Sequence, residues 1–264
     1  MSMLLVAAFS PRESVRAWIR RVFPRRRVRV VMTQTPADFA ATFHRELVDA
    51  ACVDLDHAGD DTWSAARLAE DFPSAAFFGI APYRATDTSA IARCVAAGFA
   101  DVLAQGVDDA VVHELVLRQA FTQRFAQTLA VPPRELGLTT ELQHRTWTAL
   151  VAHGGRPVST SALAREVGLT REHLSRRFST RESPNLKRVI DLVRLLAAAE
   201  LAKNPGSDVA DVASVLGFAS ASHLATAAQR ITGAKTASLA RLRAVDLVRR
   251  FAAGRGRSHH AGAH

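Results

Sequence analysis

Ser159-Thr160-Ser161-Ala162-Leu163-Ala164-Arg165-Glu166-Val167-Gly168-Leu169-Thr170-Arg171-Glu172-His173-Leu174-Ser175-Arg176-Arg177-Phe178 decides how this chain is read. Leu163, Ala164 and Val167 fall on one side of a short helix. Gly168 permits a tight turn, Leu169 points back to the core, and the Thr170 hydroxyl can cap a second helix. In that helix Leu174 and Phe178 stand at i and i+4 and face inward, which leaves Arg171, Glu172, Ser175 and Arg176 largely outward. An ordinary helical hairpin with a solvated, Arg-rich face has the same local pattern.

A second copy argues against the plain hairpin. It runs from Asp208 to Gly233 and contains Val209-Ala210-Asp211-Val212-Ala213-Ser214-Val215-Leu216-Gly217-Phe218-Ala219-Ser220-Ala221-Ser222-His223-Leu224. Ala164, Gly168, Leu169 and Leu174 align with Ala213, Gly217, Phe218 and Leu224, with one extra residue between turn and helix anchor. Between the copies the pattern predicts a long helix from Asn185 to Lys203, with Val189, Leu192, Val193 and Leu196 inward, ending before Pro205-Gly206. At 1.5 Å per residue such a rod is roughly 28 Å long. Successive major-groove turns lie about 34 Å apart. An earlier helix, Thr140 to Ala152, carries Trp147 and Leu150 as core residues and ends at Gly154-Gly155. The arrangement is a tandem helix-turn-helix, in which the second helix of each unit enters a major groove. There Arg176 can donate two hydrogen bonds to guanine, Glu172 can accept from cytosine, and Ser175 can do either.

These two stretches resemble the AraC/XylS-type DNA-binding domain over roughly residues 139–240. The resemblance implies recognition helices over about 171–179 and 220–230. It implies base contacts from Glu172, Ser175 and Arg176 in the first unit and from Ala221, Ser222 and Thr226 in the second. The second unit departs from the family pattern. Leu224 and Ala228 stand where aromatics are usual, Thr226 where a basic residue is common, and Thr236 near a usual proline. Small outward residues make few base contacts. The second helix is therefore expected to act mainly on phosphates through Gln229, Arg230 and Lys235, as Arg171 and Arg177 do in the first unit.

The first half has a different rhythm. Short apolar runs at Leu4–Phe9, Val28–Met32, Ala51–Leu55, Ala75–Ile80 and Asp101–Ala104 alternate with helical stretches near 12–22, 36–48, 62–71, 87–98 and 108–119. Pro11 and Pro36 are placed to open two of the helices. Five strand–helix units imply a parallel sheet covered on both faces. Ligand chemistry in such a fold gathers at the carboxyl ends of the strands. These ends hold no glycine-rich nucleotide motif. They do hold Asp54, Asp56, Asp60 and Asp61, either a solvated acidic loop or oxygen ligands for a divalent cation.

This layout resembles the response-regulator receiver domain over roughly residues 3–120. The family's phosphoacceptor maps onto Asp54, its metal-binding acidic pair onto Ala7 and Ala8, its Ser/Thr near Ile80 or Ala81, and its Lys onto Gln105. Only the aspartate matches. The resemblance implies a pseudo-receiver with Asp54 as a vestigial phosphoacceptor, used for homodimerisation or protein contact through residues 87–119. Phosphorylation control through Asp54 is the rival reading.

Charge divides along the same line. Residues 1–120 carry 13 Arg or Lys against 15 Asp or Glu, a net of −2, and residues 121–264 carry 21 against 10, a net of +11. A positive half implies a polyanionic partner for that half alone. Hydrophobic residues at 48% and charged residues at 22% suit a globular chain. No apolar run approaches the roughly 20 residues of a membrane span. The start, Met1 to Phe9, lacks the basic region of a secretion signal. Cys52 and Cys94 lack metal-ligand spacing and read as buried thiols of a cytoplasmic protein.

The resulting expectation is an α/β N-terminal domain, a five-stranded parallel sheet of flavodoxin or receiver type, followed by an all-α domain with two helix-turn-helix units. Its parts are a receiver-like domain at 1–120, a linker at 121–137, a DNA-binding domain at 138–245 and a basic, disordered tail at 246–264. Double-stranded DNA is the expected partner, with RNA polymerase or another regulator besides. The place is the cytoplasm, at the nucleoid. No catalytic residues, cofactor, metal or membrane contact is expected, since no nucleophile–base motif occurs. His259, His260 and His264 form a second alternative metal cluster, beside the four aspartates. A protein-interaction module with eroded DNA binding is the remaining alternative.

Overall fold

The computed structural model describes residues 3–26, 28–56, 59–82, 88–106, 108–180 and 183–260, with side chains described up to 254. The chain divides into two compact units: Met3–Arg124 with Asn204–Asp208, and Phe125–Lys203 with the chain from Val209 onward.

In the first unit, strands β1 (Leu4–Phe9), β2 (Val28–Thr33), β3 (Ala50–Asp54), β4 (Ala76–Pro82) and β5 (Asp101–Gln105) alternate with helices α1 (Glu13–Val22), α2 (Pro36–Arg45), α3 (Asp60–Asp71), α4 (Thr88–Ala96) and α5 (Asp109–Gln119). All strand pairs are parallel, in the order β2-β1-β3-β4-β5. That is the flavodoxin-like order, with its switch point between β1 and β3. The central strands are apolar on both sides because both faces are covered. Val6, Ala8, Cys52, Phe78 and Ile80 pack with Trp18, Ile19, Val112 and Val116 of α1 and α5. Ala7, Phe9, Val53 and Phe77 pack with Phe39, Phe43, Trp63 and Cys94 of α2, α3 and α4. Pro36 stands in the first turn of α2, as the sequence suggests, and Thr35 caps the helix. Pro11 does not open α1: the helix starts at Glu13, behind Arg12, which stands extended at the N-cap.

Residues 121–137, expected as a linker, hold regular structure. Helix α6 (Phe121–Thr128) starts where the Asp49 carboxylate accepts from Thr122 N at 3.0 Å, and a 3-10 turn at Arg134–Leu136 buries Leu136. The second unit continues with α7 (Glu141–Val151), α8 (Thr160–Glu166), α9 (Arg171–Phe178), α10 (Leu186–Leu201), α11 (Val209–Val215), α12 (Ala221–Thr232) and α13 (Ala244–His260). Helix α10 is the connector. At 16 residues it spans about 24 Å, shorter than the run Asn185–Lys203 implies, because Asn185 caps it and Ala202 ends it. Its apolar residues surround the axis rather than forming one stripe, which is the pattern of a helix inside a core. The stretch from 246, expected as a disordered tail, begins inside α13. Leu247, Val248 and Phe251 are buried, and Arg188 lies 5.0 Å over the Phe251 ring. No helix among the described residues is long and apolar enough to cross a membrane.

Leu192 is fully buried at the centre of α10. Leu192→Ala should therefore cost about 2–5 kcal/mol in urea denaturation followed by helical circular dichroism. A loss under 1 kcal/mol would place the core of the second unit elsewhere.

Candidate nucleic-acid interface

The two helix-turn-helix units are built by the same hydrogen bonds. In the first, Leu169 N donates to Ala164 O at 2.9 Å across Gly168. In the second, Phe218 N donates to Ala213 O at 2.8 Å across Gly217. Both glycines have positive φ, +75° and +65°, as the left-handed residue of such a helix end requires. Each following helix is capped alike: Thr170 Oγ1 accepts from His173 N, and Ser220 Oγ accepts from His223 N. The extra residue, Ala219, is absorbed ahead of the second cap, where its N donates to His223 Nδ1 at 3.3 Å.

Helix α9 presents what the sequence predicts. Leu174 and Phe178 are buried, whereas Arg171, Glu172, His173, Ser175, Arg176 and Arg177 are all exposed. Among the described residues, no hydrogen bond or ion pair within the chain engages the side chains of Glu172, Ser175 or Arg176. The far end of α9 is held by a buried amide that sequence patterning misses. Gln143 Oε1 accepts from Thr139 N and Thr140 N at 2.9 and 3.0 Å, and Nε2 donates to Phe178 O at 2.7 Å and Ser183 Oγ at 2.9 Å. Every hydrogen-bonding position of that amide is used, so it fixes α9 against α7 without leaving a buried polar group unpaired.

Helix α12 presents less. Leu224 and Ala228 are both buried. Ala221 is half-buried, and Ser222, Thr226, Gln229 and Arg230 are exposed, as is Lys235 beyond the helix. The Thr226 hydroxyl donates back to Ser222 O at 2.9 Å. Arg230 Nη2 pairs with Asp191 Oδ2 of α10 at 3.0 Å. Both side chains must exchange these partners before meeting a polyanion. His173 and His223, at matched positions in the first turn of each recognition helix, are exposed as well. Aligning the two copies would have found them.

At the carboxyl end of the sheet, Asp54 is fully buried and already has a cation. Arg12 Nε and Nη2 donate to its two oxygens at 2.8 and 2.5 Å, Ser10 Oγ donates at 2.6 Å, and Arg12 Nη1 reaches Asp56. The hydrogen bonds and charge of Asp54 raise the Arg12 pKa above its ordinary value, against the effect of burial. The receiver resemblance implies a magnesium ion here, and these residues do not fit one. Ala7 and Ala8 are buried without an oxygen ligand, and the guanidinium covers the carboxylate that a metal would need. Gln105 ends β5 opposite Pro82, and Ile80 stands opposite Asp54. A neighbouring cleft of about 440 Å³ is lined by Phe9, Pro11, Gln34, Gly59, Asp60, Asp61 and Thr62, an acidic wall that repels phosphate. Among the described residues no three His, Cys, Asp or Glu side chains converge on a metal position. His259, His260 and His264 lie outside the residues whose side chains are described. Cys52 and Cys94 are free and buried, and burial raises their thiols to about 12 and about 11.

Arg12→Ala leaves a buried carboxylate without its counter-charge and should cost about 3 kcal/mol in equilibrium unfolding. Arg12→Met combined with Asp54→Leu should recover most of that loss. Equal losses in the single and double variants would show that Arg12 matters through packing and not through the ion pair.

A family model described as a helix-turn-helix domain matches residues 163–241, a span that contains both turns. No curated protein matches the sequence. Among solved structures, the signal receiver domain of an HD domain-containing protein from Pseudomonas fluorescens Pf-5 is similar at 15% identity, over 50% of this chain and 96% of its own, with a TM-score of 0.42. Full-length FixJ from B. japonicum is similar at 11% identity, over 83% of this chain and 99% of its own, with a TM-score of 0.39. A response regulator protein from Burkholderia pseudomallei, with a phosphorylated aspartic acid, calcium ion and citrate, is similar at 17% identity over 67% of this chain and 99% of its own, with a TM-score of 0.38. The strand order and the two matched turns make this chain a receiver-like, flavodoxin-type unit joined to a helix-turn-helix domain.

Proposed function

We propose that this protein is a sequence-specific, double-stranded-DNA-binding transcription regulator of AraC type, whose N-terminal unit works without aspartyl phosphorylation. The observation that carries the reading is the exposed face of α9. It sets Glu172, Ser175 and Arg176 at helical spacing on a rigid, capped helix, flanked by Arg171 and Arg177. Bidentate Arg–guanine and Glu–cytosine contacts from such a face read sequence, while the flanking arginines neutralise phosphates. The net charge of +11 over residues 121–264 supports the same partner.

In this reading the first unit carries most of the specificity. Ala221, Ser222 and Thr226 contribute little base readout, and Gln229, Arg230 and Lys235 act on the backbone. The Arg12 clamp on Asp54 supports a pseudo-receiver that signals through protein contact, with residues 87–119 as a homodimer surface and RNA polymerase or another regulator as a further partner. The protein then works at the nucleoid, in the cytoplasm. The small, nearly neutral face of α12 favours a second reading, a protein-interaction module in which DNA binding has eroded.

Selection of genomic fragments by the purified protein at about 150 mM salt, a physiological ionic strength, tests these readings. Wild type should enrich one discrete motif. Arg176→Ala should relax one position of it, a loss of about 1–3 kcal/mol in discrimination. Arg177→Ala should weaken all sites alike and lower the slope of log affinity against log salt by about 1. Equal, salt-sensitive retention of every fragment would leave only electrostatic binding, and no retention at low salt would favour the interaction module. Transfer of phosphate to Asp54 from a small phosphodonor would overturn the unphosphorylated pseudo-receiver.

A further inference from the structure

One loop touches both helix-turn-helix units. It leaves α7 at Ala152 and reaches the cap of α8 at Ser159. Near its start, His153 is nearly buried, and its Nε2 lies 3.0 and 3.2 Å from the two carboxylate oxygens of Glu166, the last residue of α8. Two residues later the backbone passes very close to α10. A Cβ on Gly155 would lie 2.2 Å from Ala197 Cβ and 3.3 Å from Leu216 Cδ2, and the residue has a φ of +83° that favours glycine. Pro157 then covers the turn of the second unit, where a Cβ on Gly217 would stand 2.4 Å from Pro157 Cγ. At the same turn Arg194 of α10 donates from Nη2 to Leu216 O at 2.9 Å, and its guanidinium lies 3.9 Å over the Phe218 ring.

The loop is thus tied by the His153–Glu166 hydrogen bond to the first unit and pressed by a rigid ring against the second. The contact with the second unit is the Pro157 ring against the backbone at Gly217, where only ring atoms of Pro157 would meet an added Cβ. Closely packed contacts of this kind transmit a displacement rather than damp it. We propose that His153–Pro157 is a positioning clasp that sets α12 relative to α9, and so sets where the second unit meets the DNA that the first unit reads. The inference rests on the DNA-binding reading above and adds what determines the register between the two contacts. Direct packing of α11 and α12 on α10, without the loop, is the competing explanation.

Hydroxyl-radical footprinting of the full chain on its selected motif separates the two. Wild type should protect two patches on one face of the duplex, about 10 base pairs apart. Pro157→Gly removes the ring that covers Gly217, and Glu166→Gln weakens the anchor of His153. Each variant is matched to wild type by circular dichroism, and Glu166→Gln, at the solvent-facing end of α8, carries the test where Pro157→Gly does not fold. The patch under α9 should remain, whereas the second patch should fade or shift, with affinity down about tenfold and a shallower salt slope as phosphate contacts are lost. A variant that keeps both patches at wild-type spacing would show that α10 packing alone positions the second unit, and would overturn the clasp. A single patch in wild type would also overturn it while leaving the α9 reading intact. Absence of any discrete patch in wild type would reject the DNA reading itself, and the clasp with it.

Discussion

The burial of α10 is the constraint on which the second unit depends. Leu186, Val189, Leu192, Val193, Leu195, Leu196 and Leu201 are inside, and so are Ala197, Ala198 and Ala199. A helix with apolar residues on nearly every side is stable only when neighbours cover it all round. Helices α7, α11, α12 and α13, with the turn at Thr236–Arg241, provide that cover. Burying each large side chain contributes roughly 1.5–3 kcal/mol. The alanines matter for a different reason, since they let other backbones approach closely, as Gly155 does at Ala197. The exposed faces of α9 and α12 can then be chosen freely, because neither helix relies on them for its packing.

Electrostatics shapes the first unit as packing shapes the second. A fully buried carboxylate needs a partner, and Asp54 takes Arg12 and Ser10 from the start of the neighbouring strand–helix connection. The same guanidinium reaches Asp56, so one cation serves two carboxylates. Asp49 solves a similar problem at the opposite end of the sheet by accepting from Leu5 N and Thr122 N, tying β1 to the start of α6. Both carboxylates are satisfied from within the chain, which is the usual condition for a buried charge.

Helical and strand periodicity made most of the architecture legible. The five apolar runs became β1 to β5 within one or two residues, and both glycine turns appeared where they were expected. The Thr170 hydroxyl caps α9 as expected, and Ser220 caps α12 in the same way. The exposed face of α9 was legible for the same reason: one helix determines which of its own residues look outward once Leu174 and Phe178 are inside. The linker and tail were harder to read. Residues 121–137 contain Pro132, Pro133 and Gly137, which suggest a break, yet Phe121, Phe125 and Leu136 are buried. In the tail, the Arg-rich composition concealed Leu247, Val248 and Phe251, whose spacing marks a buried helix face.

By itself the sequence determined two units, their classes, the two turns and the residues that α9 turns outward, because each follows from contacts between residues close along the chain. Tertiary structure decided the partners of charged and polar groups. Arg12 lies 42 positions from Asp54, Gln143 lies 35 from Phe178, and Arg230 lies 39 from Asp191. No local pattern marks which of the many arginines will meet which carboxylate. That choice follows from where the folded backbone brings their ends together, and it closes the Asp54 site and ties Arg230 to the connector helix.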